Sequence, residues 1–138
     1  MNPENDKFGF GKMLARLAEA KVDMPKKLAA AGQLYFQQNF DKQQWSGQPW
    51  EPRKKETRRS EGKALLVATG RLRQAMQKTI REFNWKQIVW GVDVPYAKYL
   101  NFGTENMPAR EFMGFDPELK ATLQDKVKQS FDKVMLNR

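Results

Sequence analysis

Residues 89–115 read VWGVDVPYAKYLNFGTENMPAREFMGF, and the breakers within them decide how the rest of the chain can fold. The stretch is entered as a strand, because Ile88, Val89, Trp90 and Val92 favour a pleated, half-buried surface. Gly91 interrupts it and predicts a bulge or a close backbone approach. Asp93-Val94-Pro95 ends the strand, since proline cannot donate to a ladder and holds the residue before it extended. Tyr96, Tyr99 and Leu100 fall at i, i+3 and i+4, one face of a short helix that Gly103 is placed to stop. Met107-Pro108-Ala109-Arg110 is a second breaker, after which Phe112, Met113 and Phe115 predict a further strand. Such dense punctuation describes a positioned loop.

Outward from this stretch the pattern is simpler. Lys78–Phe83 alternates polar and apolar residues, Asn84-Trp85-Lys86 turns, and 87–92 returns, which predicts an antiparallel hairpin. Asp116-Pro117-Glu118 is a helix start, with a cap, a proline at the first position and an acid in the first turn. Leu119, Leu123, Val127, Phe131, Val134 and Met135 then make the apolar stripe of a closing helix about 20 residues long. At the other end, residues 1–6 read as a tail. Phe8, Phe10, Met13, Leu14, Leu17, Ala18 and Val22 predict a helix over 7–22. Asp23 and Pro25 read as the start of a second one, carrying Leu28, Ala31, Tyr35 and Phe36 to Phe40. These stripes are read as core, with part of the first helix as an alternative subunit contact. Ala64–Val67 is a short apolar run, followed after Thr69-Gly70 by a short helix or strand entry at 71–76. The implied fold is α+β: one domain over 1–138, with a small antiparallel β-sheet of three or four strands packed against long N- and C-terminal helices.

The chain of 138 residues contains neither cysteine nor histidine. Thiol chemistry, disulfides, imidazole bases and nearly all zinc sites are thereby excluded. The acids are scattered singly, without the paired spacing of a glycosidase or two-metal centre, and Asp93 reads as a turn acid. The glycines of GFGK lead into a helical pattern and are not a phosphate loop. The expectation is a non-enzymatic protein with no catalytic residue, cofactor or metal. The N-terminal segment lacks a secretory pattern, and no apolar run approaches the length of a membrane span.

The net charge of +9 points to an acidic partner. Residues 41–63, DKQQWSGQPWEPRKKETRRSEGK, read as a long loop in which Arg53, Lys54, Lys55, Arg58 and Arg59 make a basic run. Trp45 and Trp50 beside that run could stack on bases, which opens a reading of non-specific nucleic-acid contact. They could equally anchor the loop to the core. A third reading is assembly: Tyr96, Tyr99, Phe102, Met107, Arg110 and Phe112 are of residue types enriched in interfaces. For Tyr96 and Phe112 packing within the monomer is the favoured reading, and Arg110 is the foremost candidate for an intersubunit charge contact.

The order of blocks also resembles the phage virion morphogenesis family of tail completion proteins. The resemblance is carried by Gly91, Pro95, Tyr96, Ala97, Phe102, Gly103, Met107, Pro108, Ala109, Arg110 and Phe112. Upstream, Thr69, Gly70 and Leu72 fit one block, and Trp50, Pro52 and Thr57 another, so that about residues 30–118 are covered. The basic run linking the blocks departs from the family pattern. The resemblance implies a structural protein of the virion tail or neck, assembled in the host cytoplasm, which finishes the head-proximal end of the tail and enables head–tail joining. Its implied partners are other tail and neck proteins and further copies of itself, in a ring for which a hexamer is one candidate. Non-specific contact with DNA is the accessory reading, and no membrane partner is implied.

Overall fold

The structure, a computed structural model, describes residues 9–54, 62, 65–67 and 70–136. Phe8, the tail at 1–6, Lys55, Thr57, Arg58, Arg59, Ala64 and Thr69 lie outside the described residues. Helix α1 spans Phe10–Asp41. It is followed by β1 (Gln44–Trp45) and β2 (Gln48–Pro49), the short helix α2 (Arg71–Ala75), and the hairpin of β3 (Ile80–Phe83) and β4 (Ile88–Trp90). Helix α3 (Ala97–Phe102) and the closing helix α4 (Pro117–Leu136) complete the order. The α+β class is as the sequence predicts: long terminal helices flank small antiparallel sheets.

Two local expectations are corrected. The N-terminal region is one helix of 32 residues, not two, and it runs through Pro25. Proline there removes one backbone donor. The loss is outweighed because α1 packs on β1, β3, β4 and α4 along its length, so tertiary contact holds the turn that local propensity would break. Pro25 is itself buried, at a cleft it shares with Leu28 and the hairpin tip at 84–88. The second correction concerns the sheet. The described residues form two separate two-stranded ribbons, β1–β2 and β3–β4, and the apolar run 112–115 is not a strand. A side chain takes the place of a strand partner. Asn101 Oδ1 accepts the N–H groups of Phe112 (2.9 Å) and Met113 (3.1 Å), and its Nδ2 donates to the Met113 carbonyl (3.1 Å).

The core is aromatic. Phe36 stacks on Trp45 with ring centroids 6.2 Å apart and meets Trp90 edge-on at 5.7 Å, while Phe40 lies edge-on to Trp50 and Phe112. Leu72, Met76, Val94, Ala97 and Leu119 fill the space around them. Trp90 is seated against the backbone of α1, where Gly32 leaves room for the indole and the Ala29 carbonyl accepts from Trp90 Nε1 at 2.9 Å. Gln33 fixes the start of the hairpin, its Oε1 accepting from Thr79 N (2.9 Å) and Ile80 N (3.2 Å). In the β3–β4 ladder the extra residue is Arg81, between the pairs Ile80–Trp90 and Glu82–Val89. The irregularity therefore sits opposite the Val89–Trp90 step and not at Gly91, whose N–H donates to the Thr79 carbonyl at 2.8 Å and which the Arg81 side chain approaches.

The start of α4 follows the sequence reading. Asp116 Oδ1 accepts from Leu119 N at 2.7 Å, a side-chain cap, and Pro117 opens the helix. Asp116 Oδ2 also accepts the Tyr35 hydroxyl at 2.6 Å, which ties the N-terminus of α4 to α1.

Candidate assembly surfaces

The punctuated stretch is held rigidly from within. Val94, Ala97, Asn101, Arg110 and Phe112 are buried. Gly103, at φ 77°, lets the chain double back: a Cβ there would lie 2.7 Å from Ala109 N and 3.0 Å from the Met107 carbonyl. Thr104 and Met107 then exchange backbone hydrogen bonds of 2.9 and 3.2 Å across the turn, and Arg110 N donates to Leu100 O at 2.9 Å.

From this frame the opposite side chains face outward. Tyr99 is 50 % exposed, Phe102 75 % and Phe115 69 %, with Tyr96 partly exposed and Met107 half-buried. Lys98 Nζ lies 5.0 Å over the Tyr99 ring. Four aromatic rings of this one braced segment are thus exposed to differing degrees, the residue type enriched in interfaces. Arg110 is placed differently: only 8 % exposed, its Nε donates to the Glu51 carbonyl at 2.8 Å. Burial, and then the nearby Arg53, draw its pKa down, while Glu51 opposes the shift. Phe112 is wholly inside the core.

The basic loop opens with a tight hairpin. Ser46 (φ 50°) and Gly47 (φ 79°) both take left-handed backbone, the twist a two-residue connection between antiparallel strands requires. Gln43 staples the loop to the chain beyond it, accepting from Leu65 N at 2.7 Å and donating to Leu65 O at 3.1 Å. Trp45 and Trp50 are both buried, and Trp50 Nε1 donates to the Glu111 carbonyl at 2.7 Å. Between the two readings of these rings the structure supports the anchor, and neither is free to stack on a base. Of the basic run, the described residues are Lys54, which is exposed, and Arg53, half-buried beside Arg110.

The residues that brace the fold through backbone hydrogen bonds are not apparent in the sequence. Asn101 and Gln33, each satisfying several backbone groups, carry no periodic signal, because a polar residue inside an apolar pattern reads the same whether it is solvated or bracing. Phe115, in the run that predicts a strand, stands in solvent. Among the described residues no cluster of three or more acidic side chains could hold a metal ion, and no described helix is long and apolar enough to cross a membrane.

Among the described residues, a small α+β frame braces one loop from within and leaves aromatic rings exposed on it. The sequence profile of the phage virion morphogenesis family matches residues 8–132, most of the chain, and the protein belongs to that family. No curated protein and no solved structure matches it significantly. Membership makes it a phage structural and assembly protein and implies interaction with other virion proteins.

Proposed function

We propose that the protein completes the phage tail at its head-proximal end and makes the tail competent to join the head. It would act as a homo-oligomeric ring in which the segment 95–115 of one copy meets a different patch of the next, a head-to-tail contact that closes by rotation. The observation that carries this reading is the display of Tyr99, Phe102 and Phe115 in water from a segment braced inside by hydrogen bonds of Asn101 and Arg110. Repetition around a ring would let modest individual contacts add through avidity. Arg110, held beside Arg53, would act by shaping the surface that carries those rings.

The test is complementation in vitro. Lysates of phage lacking the protein, supplied with purified wild-type chain, should yield joined particles countable by electron microscopy. Phe102→Asp should fold, since its ring has little to lose by exposure, and should not restore joining. Full restoration by Phe102→Asp together with Tyr99→Ser would refute the role given to this surface.

A further inference from the structure

A groove of about 460 Å³ runs along one side of the seam between α1 and α4. The two helices are antiparallel, because Tyr35 reaches Asp116 at the start of α4 while Ala20 and Asp23 line the same seam as Lys133 and Val134. On α1 the groove is lined by Lys27, Ala30, Ala31 and Leu34, at i, i+3, i+4 and i+7. Lys126 and Lys133 stand opposite, seven residues apart on α4. Each wall is thus one helical face over two turns, about 10 Å long.

The chemistry of this groove is two-sided. Ala30 and Ala31 make a shallow apolar floor, and Leu34 beside them is 53 % exposed. Lys27, Lys126 and Lys133 are all exposed around it. Among the described residues no acid lines this part of the seam, and Asp125, next to Lys126 in sequence, accepts a hydrogen bond from Gln129 at 2.9 Å. At the adjoining end of the seam Lys27 and Lys133 also share a lining with Arg16, Glu19 and Asp23, so the charge becomes mixed there and Lys126 stands farthest from those acids.

We propose that this groove docks an acidic amphipathic helix from another protein, with apolar side chains over Leu34 and the alanines and carboxylates against the three lysines. One ligand then satisfies both features, the mode by which a helix lies in a groove. Nucleic acid fits less well, because phosphates would engage the lysines while Leu34 stayed uncovered. A second copy of the chain fits less well too, since it carries a net charge of +9 and both long helices have more basic than acidic residues. The site is lined by other residues than the α3 surface and stands whichever neighbour that surface meets.

The experiment uses the full chain and a fluorescein-labelled designed helix of about 18 residues built from Glu, Leu and Ala, long enough to fold when docked. Binding is read by anisotropy at low salt. Saturable binding is expected, weakened about tenfold or more by Lys27→Glu/Lys126→Glu/Lys133→Glu and again by Leu34→Asp. A version of the probe with Ser in place of Leu should bind about tenfold more weakly. Far-UV circular dichroism checks that the variants keep their fold. No binding of the Glu/Leu probe at about 1 mM would overturn the proposal. So would equal binding of the Ser version, indifference to the lysine variant, or displacement of the probe by duplex DNA through the same three lysines. A wild-type chain that self-associates through these residues, as seen by sedimentation, would assign the groove to a second copy instead.

Discussion

Gly32→Ala tests the packing on which the rest of the fold is built. Position 32 is buried in the middle of a long helix, where propensity alone would make alanine better than glycine by about 1 kcal/mol. The structure predicts the opposite sign. A Cβ at Gly32 would lie 2.3 Å from Trp90 Cζ2, 2.5 Å from Cε2 and 2.9 Å from Nε1. Ordinary carbon contacts begin near 3.5 Å, so the indole must retreat by about 1 Å or α1 must lift away. The ring is held from two sides, by the 2.9 Å bond to the Ala29 carbonyl and by the edge of Phe36. Overpacking of this kind costs about 1–3 kcal/mol. Loss of the indole hydrogen bond adds about 1 kcal/mol. With the gain in helix propensity subtracted, the net is about 1–3 kcal/mol of destabilisation. Urea unfolding followed by far-UV circular dichroism should show a midpoint lowered by about 1 M with the slope unchanged. In a Trp90→Leu background the clash disappears, and Gly32→Ala should become neutral or stabilising, a coupling that a double-mutant cycle reads directly. Stabilisation by Gly32→Ala in the wild-type background would refute the seating of Trp90.

Asn101→Ala removes two acceptor contacts and one donor contact that replace a strand partner for 112–113. It should destabilise by about 2–4 kcal/mol, measured by thermal unfolding, with Asn101→Asp intermediate because the acceptor survives. Tyr35 has its pKa raised above the ordinary value near 10, by burial and then by its bond to Asp116. The unfolded chain therefore gives up this proton first as pH rises. The stability that Tyr35 contributes is fully present below pH about 10 and is lost progressively above it. Tyr35→Phe should flatten that alkaline decline, and an unchanged slope in urea titrations between neutral and alkaline pH would contradict the assignment. Phe102→Ala should change stability by less than about 0.5 kcal/mol, because the ring is mostly in water, so any loss of virion joining reports contact and not folding.

What could be read in advance followed from strong local signals. Asp116-Pro117-Glu118 predicted the start of α4 because cap, proline and acid each act within one turn. The hairpin around Asn84 was legible too, and Asn84 Oδ1 does accept from Lys86 N and Gln87 N. Pro25 misled because its cost is local, while the packing that overrides it comes from strands more than 50 residues away in sequence. The run 112–115 has the composition of a strand, and nothing in its own residues reveals that an asparagine side chain would occupy the pairing positions. For Trp45 and Trp50 the sequence offered base stacking or anchorage. Only the burial of both rings decides between them. The α1–α4 groove has no local signature, because two separate helical faces nearly 100 residues apart in sequence create it together.

The proposed location of the protein is the head-proximal end of the tail. It is tested most directly by immunogold labelling of virions that carry an epitope-tagged copy of the protein, viewed by negative-stain electron microscopy. The account predicts gold at the junction of head and tail, and at one end only of tails isolated before joining. Gold at the distal tip of the tail, or spread over the capsid, would contradict it.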